Sequence, residues 1–191
     1  MDEYLKETEC IDFSHPLIQA KKEELRKASK DTLDYIRQAY HFVRDEIVHS
    51  WDAKQMVVSK SASEVLANGT GICWTKSCLL AALLRAEHIP SGISYQKLTR
   101  ADEDASDGYI IHALNTVYVE ELSKWVRMDA RGNKETVHAE FDTEKEILAF
   151  PVRKELLEID YHDNHPDLDE RLQRLLWENE NVLMLRADFD I

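Results

Sequence analysis

The sequence predicts an α+β fold: N-terminal helices, with one buried central helix packed on an antiparallel sheet. Three observations carry this. Helical periodicity dominates roughly the first ninety residues. The run from Cys78 to Leu84 is apolar on almost every side, the mark of a helix enclosed by its own protein. After Ser91 the pattern changes to alternation, and helices followed by strands make an α+β arrangement.

A helix is predicted from about Leu17 to Lys30. The next is clearer, because Leu33, Ile36, Tyr40, Val43 and Ile47 recur at three- and four-residue spacing to form one stripe. Asp31 is its expected N-cap and His49 its expected end. Ser61 and Glu64 have capping-box spacing and open a short helix, which closes at Asn68-Gly69. The central helix begins near Cys73 and stops before Ile89-Pro90. Strands are predicted from Gly92 to Leu98, Tyr109 to Val119 and Lys124 to Asp129, with an acidic, turn-rich stretch from Ala101 to Gly108. Arg131-Gly132-Asn133 reads as a turn, and a further helix is expected from about Asp167 to Asn179. The chain is read as one domain, residues 1–191, with a core at about 33–133 and a peripheral C-terminal extension at about 134–191.

Composition narrows the function classes. The 191 residues are 43% hydrophobic and 32% charged, ordinary for a soluble domain. A formal net charge of −13 argues against a nucleic-acid partner, since phosphate binding relies on clustered Lys and Arg. No apolar run approaches a membrane span and the first residues lack the pattern of a secretory leader, so a cytoplasmic location and no membrane partner are expected. Cys10, Cys73 and Cys78 have no metal-ligand spacing, and no metal or cofactor is expected. Tyr161-His-Asp-Asn-His165 lacks a helical His frame and reads as a polar loop. Oligomeric state is left open.

Cys73 stands where a glycine-containing turn enters the buried helix. The unpaired N–H groups and dipole of a helix N-terminus favour a thiolate, and the same groups can hold an oxyanion. Gly71 is expected to let a substrate backbone approach closely. Alternation places His112, Leu114, Thr116 and Tyr118 on one strand face, and Trp125, Arg127 and Asp129 on one face of the next strand. If the hairpin turns at Glu121-Leu122, Asp129 lies opposite Leu114, a diagonal neighbour of His112. A slip of one residue would put the two on opposite faces.

Cys at a helix start, His on a strand and Asp on the next strand, in that order, resemble the transglutaminase-like superfamily, which shares a papain-type core. The carrying residues are Gly71-Ile-Cys73-Trp74, the run Leu79 to Pro90, the segment around His112, and Trp125-Val-Arg-Met-Asp129. The resemblance implies a Cys73 nucleophile, a His112 base and an Asp129 that orients the imidazole. It implies a second oxyanion donor from an upstream side chain, for which Trp51 and Gln55 are candidates. Trp74 beside the nucleophile is a candidate lining residue. Lys76 either supports the thiolate or is a solvated helix lysine, and Gln96 either faces the cleft or is exposed. The activity implied is that of a cysteine protease or amidase, attacking a peptide or other amide through a thioester. Glutamine acyl transfer and a non-enzymatic binding module are the rivals. The chain lacks the length and the acidic loop of the calcium-dependent animal enzymes.

Overall fold

The computed structural model describes residues 1–100 and 105–191. Residues 101–104 of the predicted acidic turn lie outside them. Helix α1 spans Pro16–Ala28, with His15 as N-cap and proline at its first position, where a missing N–H costs nothing. Helix α2 spans Thr32–His41, and the Asp31 carboxylate accepts from the Asp34 N–H at 2.8 Å. The stripe predicted to run helically to His49 instead widens into a π-turn at Phe42–Glu46 and ends there. Two interactions explain the ending. The buried Lys76 Nζ donates to the carbonyls of Ile47 (2.5 Å) and Arg44 (3.4 Å). Val48–His49 is then drawn out as a short strand, β1.

Helix α3, Ala62–Asn68, is capped by Ser61 and closes at Gly69 with φ +65°, a left-handed turn that glycine adopts without strain. The next strand, β2 (Thr70–Gly71), pairs in parallel with β1, Val48 opposite Thr70 and His49 opposite Gly71. Helix α4, Cys73–Ala86, follows at once. Its leucines 79, 80, 83 and 84 are fully buried, each worth ~1.5–3 kcal/mol of apolar transfer. At its far end the buried Arg85 donates to the carbonyls of Ser91, Lys6 and Pro166, tying three remote segments together.

The sheet contains β3 (Ser91–Thr99), β4 (Tyr109–Val119), β5 (Lys124–Met128) and β6 (Ile159–His165), ordered β5-β4-β3-β6 and antiparallel throughout. In the β4–β5 register Asn115 stands opposite Met128, so Asp129, one residue on, falls opposite Leu114. Ile111, Ala113 and Val117 join the core beneath the sheet, where Asn115 donates to the carbonyl of Ser77 in α4.

The C-terminal third is not peripheral. Tyr161 to His165, expected as a polar loop, lies in edge strand β6, because β3 offers an unpaired ladder that backbone groups fill whatever the side chains. The approach is close: a Cβ on Gly92 would come within 1.9 Å of the Asn164 side chain. Helix α5, Glu170–Glu178, inserts Leu172 and Leu176 into the main core, joined by Leu168, Val182 and Leu185. Among the described residues no helix is long and apolar enough to cross a membrane.

Candidate active site

The site forms where β5 ends before β4 does. β5 covers only Asn115 to Val119 of its neighbour, leaving ladder positions of β4 beyond it unpaired. The first turn of α4 takes them. Trp74 Nε1 donates to the Ile111 carbonyl at 2.7 Å, and the Ala113 N–H is directed to the Cys73 sulfur. Helix and strand are therefore locked together at Cys73. Gly71 has another role than the expected one: a Cβ there would meet Thr75 Oγ1 at 2.7 Å and Val65 at 3.3 Å. The glycine makes room for the chain's own packing, not for a substrate.

Cys73, His112 and Asp129 come together in one chain of interactions. His112 Nε2 donates to Asp129 Oδ2 at 2.7 Å, which leaves the other ring nitrogen for Cys73, whose thiol pKa the neighbouring imidazole lowers. Asp129 is fully buried and accepts two further bonds, from the Ala149 N–H to Oδ2 and the Arg131 N–H to Oδ1, both 3.1 Å. Phe150 meets the His112 ring edge-on, with centroids 5.2 Å apart at 90°. The imidazole is thus fixed by a carboxylate on one side and an aromatic ring on the other.

Charge follows from this geometry. Burial opposes a Cys73 thiolate, but the His112 charge, its hydrogen bond and the Ala113 N–H overcome it and lower the thiol's pKa. Burial likewise disfavours a charged His112, yet the charges of Asp129 and Cys73 raise its pKa to about 10. Asp129 is held below the usual carboxylate range despite its burial, by His112 and the two backbone N–H groups. All three shifts run in the direction that favours a thiolate–imidazolium pair backed by a carboxylate.

The trio opens into a cleft of about 160 Å³ lined by His49, Trp51, Ile72, Trp74, Arg100, Ile110, Ile111, Arg131, Phe150, Leu185 and Ala187. Of the residues singled out from sequence, Trp51 is at its mouth, under the Arg186 guanidinium at 5.7 Å, and Trp74 is in its wall. Gln55 is exposed and outside the cleft. Lys76 is neither near-solvent nor turned to the thiolate. It is 1% exposed, bonded to the Ile47 and Arg44 carbonyls, and burial together with the Arg131 charge lowers its pKa to about 7. Gln96 is neither exposed nor cleft-lining: it is buried opposite His112 in the β3–β4 register, and its Nε2 donates to the Phe150 carbonyl at 3.4 Å.

His49 escaped the sequence reading, whereas Arg131, read as a turn residue directly after Asp129, was expected near the site mouth. His49 is placed beside Gly71 by the β1–β2 pairing, with its Nδ1 buried, lacking a hydrogen bond, and 3.8 Å from Asp52. Burial, and then the nearby Arg131 charge, push its pKa down to about 3, so the ring is neutral at working pH. Arg131 itself is held in a bidentate pair with Asp52 at 2.8 and 3.0 Å and lies over Phe150 at 5.5 Å. A histidine upstream of Cys73 was the available signal, but a two-residue strand has no periodicity to place it.

Comparison with known proteins agrees with this architecture. A solved structure from Cytophaga hutchinsonii, described as a cysteine-protease candidate, matches with a TM-score of 0.52 at 15% identity, covering 67% of this chain and 40% of that one. The periplasmic domain of TgpA from Pseudomonas aeruginosa matches with a TM-score of 0.46 at 17% identity, covering 66% of this chain and 45% of the other. This chain therefore spans less than half the length of either. No curated protein matches it. The sequence profile of the transglutaminase-like superfamily matches residues 19–130, the segment that holds Cys73, His112 and Asp129. The chain belongs to the transglutaminase-like superfamily.

Proposed function

We propose that this protein is a cysteine hydrolase that cleaves an amide, as a protease or amidase, through a thioester on Cys73. The observation that carries the reading is the continuous Cys73–His112–Asp129 interaction at the uncapped N-terminus of α4, opening into an apolar cleft. The Cys73 thiolate attacks the amide carbonyl carbon, and the negative charge moves to the carbonyl oxygen. His112 gives its proton to the leaving nitrogen as the C–N bond breaks, and Asp129 holds the ring in place. Water then attacks the thioester, losing a proton to His112, and the acid leaves.

The oxyanion meets the Cys73 backbone N–H in the first turn of α4, where the Ile72 side chain caps nothing. The second donor in this proposal is His49 rather than Trp51 or Gln55. A neutral imidazole protonated on Nε2 donates without competing for the thiol proton. Its position beside Gly71 and its lining of the cleft support the assignment.

The test is to incubate the protein and Cys73→Ala with a peptide library plus a tagged amine, and to search by mass spectrometry for cleavage, deamidation and amine incorporation. Cys73-dependent acid product in excess over amine adduct is expected. Predominant amine incorporation would make the protein an acyltransferase. In parallel, iodoacetamide near pH 7 should label Cys73 before Cys10 or Cys78. Cys78 is fully buried, and its hydrogen bond with Cys10 and its burial raise its pKa well above the ordinary value. Equal, slow labelling of all three would favour a binding module.

A further inference from the structure

The walls of the cleft carry charge of one sign. The chain has 37 acidic residues and a net charge of −13, yet among the described residues no Asp or Glu lines the cleft, while Arg100 and Arg131 both do. An apolar concavity whose described walls carry arginines and no carboxylate draws anions in, even within an acidic protein.

The two arginines are not equivalent. Both terminal nitrogens of Arg131 are engaged by Asp52, 2.8 and 3.0 Å away. Arg100 donates from Nε to the Asp107 carbonyl (3.1 Å), and from Nη2 to the Tyr109 carbonyl (2.9 Å) and Asp188 Oδ1 (3.1 Å). Its Nη1 is buried and has no acceptor among the described residues. A buried guanidinium nitrogen with no acceptor among the described residues is an unmet charged donor, costly to leave so, and a small turn of the partly exposed Arg100 side chain would bring it to a ligand in the cleft.

Its position relative to the nucleophile is set by the sheet. Gln96 pairs with His112, Leu98 with Ile110, and the Arg100 N–H continues the ladder to the Gly108 carbonyl at 2.9 Å. Arg100 therefore shares the His112 face, four residues along, about 13 Å away at the backbone. Its long side chain shortens that span, and Ile110, Ile111, Leu185 and Ala187 line the cleft with it.

We propose that the cleft accepts amides whose acyl portion is an apolar spacer ending in a carboxylate, with Arg100 as the residue that recognises that carboxylate. This rests on Cys73 being the nucleophile. It gives each part of the cleft a use: the spacer covers the apolar wall and the carboxylate completes the Arg100 donors. A guanidinium–carboxylate contact is among the stronger hydrogen bonds available. An ammonium-bearing acyl group, by contrast, would meet no carboxylate among the described lining residues and would face the Arg100 charge.

The inference is tested without knowing the natural substrate. Intact protein is alkylated with N-alkyl iodoacetamides of graded spacer length ending in a carboxylate, a carboxamide or an ammonium, and the Cys73 rate is followed by mass spectrometry. At the best length the carboxylate reagent should react faster than the carboxamide by on the order of tenfold, with the ammonium slowest. The advantage should shrink with added salt and vanish in Arg100→Gln. Should that variant not fold, Asp188→Asn takes its place. It removes an exposed counter-charge of Arg100 and should enlarge the advantage. Equal carboxylate and carboxamide rates at every length would overturn the proposal, as would an advantage unmoved by the variants. Rapid, selective Cys73 labelling without carboxylate preference leaves the nucleophile intact and removes only Arg100 recognition. Slow, unselective labelling removes both.

Discussion

Replacing His49 by glutamine should flatten the acid side of the stability profile. The His49 ring is held neutral in the fold, with its pKa pushed from an ordinary 6.5 to about 3 by burial and by Arg131. Between those values the unfolded chain binds a proton that the native state refuses, so stability falls as pH falls through this window. Near pH 5 the unfolded state gains a factor of about 30, or ~2 kcal/mol, from that proton, whereas near pH 7.5 it gains almost nothing. Glutamine keeps a neutral donor of similar reach and cannot titrate. Urea unfolding of wild type and His49→Gln near pH 7.5 and near pH 5 isolates the effect, because other titrating groups cancel in the difference. The variant should lose about 2 kcal/mol less than wild type on acidification. Equal losses would refute a buried neutral His49, and with it the reason for assigning that ring to the oxyanion.

Three other outcomes are expected. Asp129→Asn should retain the fold, as judged by its melting temperature, but lower kcat on an accepted amide by ~10²–10⁴-fold, since the imidazole loses its charged anchor. An unchanged kcat would show that His112 needs no such partner. The kcat/KM profile should fall on the acid side as Cys73 takes up its proton, below the ordinary thiol range, and on the alkaline side near pH 10, as His112 loses the proton it must donate. A single limb would contradict the ion pair. Arg85→Leu, which strands the carbonyls of Ser91, Lys6 and Pro166, should cost roughly 3–5 kcal/mol by urea unfolding, and a loss below about 1 kcal/mol would mean that water satisfies them.

The parts of this molecule that were legible in its sequence are those with a period. The apolar run from Cys78 to Leu84 marked α4, and strand alternation with a turn near Leu122 placed Asp129 opposite Leu114, as the β4–β5 register does. What escaped depends on partners remote in the chain. The helix from Thr32 stops early because Lys76 captures the Ile47 carbonyl, a contact no local pattern announces. His49 reaches the cleft through a two-residue parallel pairing, too short to have a signature. In β6, Asp160, His162, Asp163 and Asn164 look like loop, and only the open edge of β3 makes them a strand. Trp51 and Gln55 are four residues apart in sequence, but the turn at Trp51–Lys54 leaves only the first at the cleft.

The superfamily match ends at residue 130, yet the carboxylate at 129 is steadied by the Ala149 N–H, and the cleft is walled by Phe150, Leu185 and Ala187. Part of the wall around the residues that would react, and one support of the carboxylate behind them, thus come from beyond the matched stretch. Mutation in the last sixty residues can reshape what is admitted while Cys73 and His112 stay untouched. It is constrained at one place, the Ala149–Phe150 step, where the wall also holds the carboxylate and the ring.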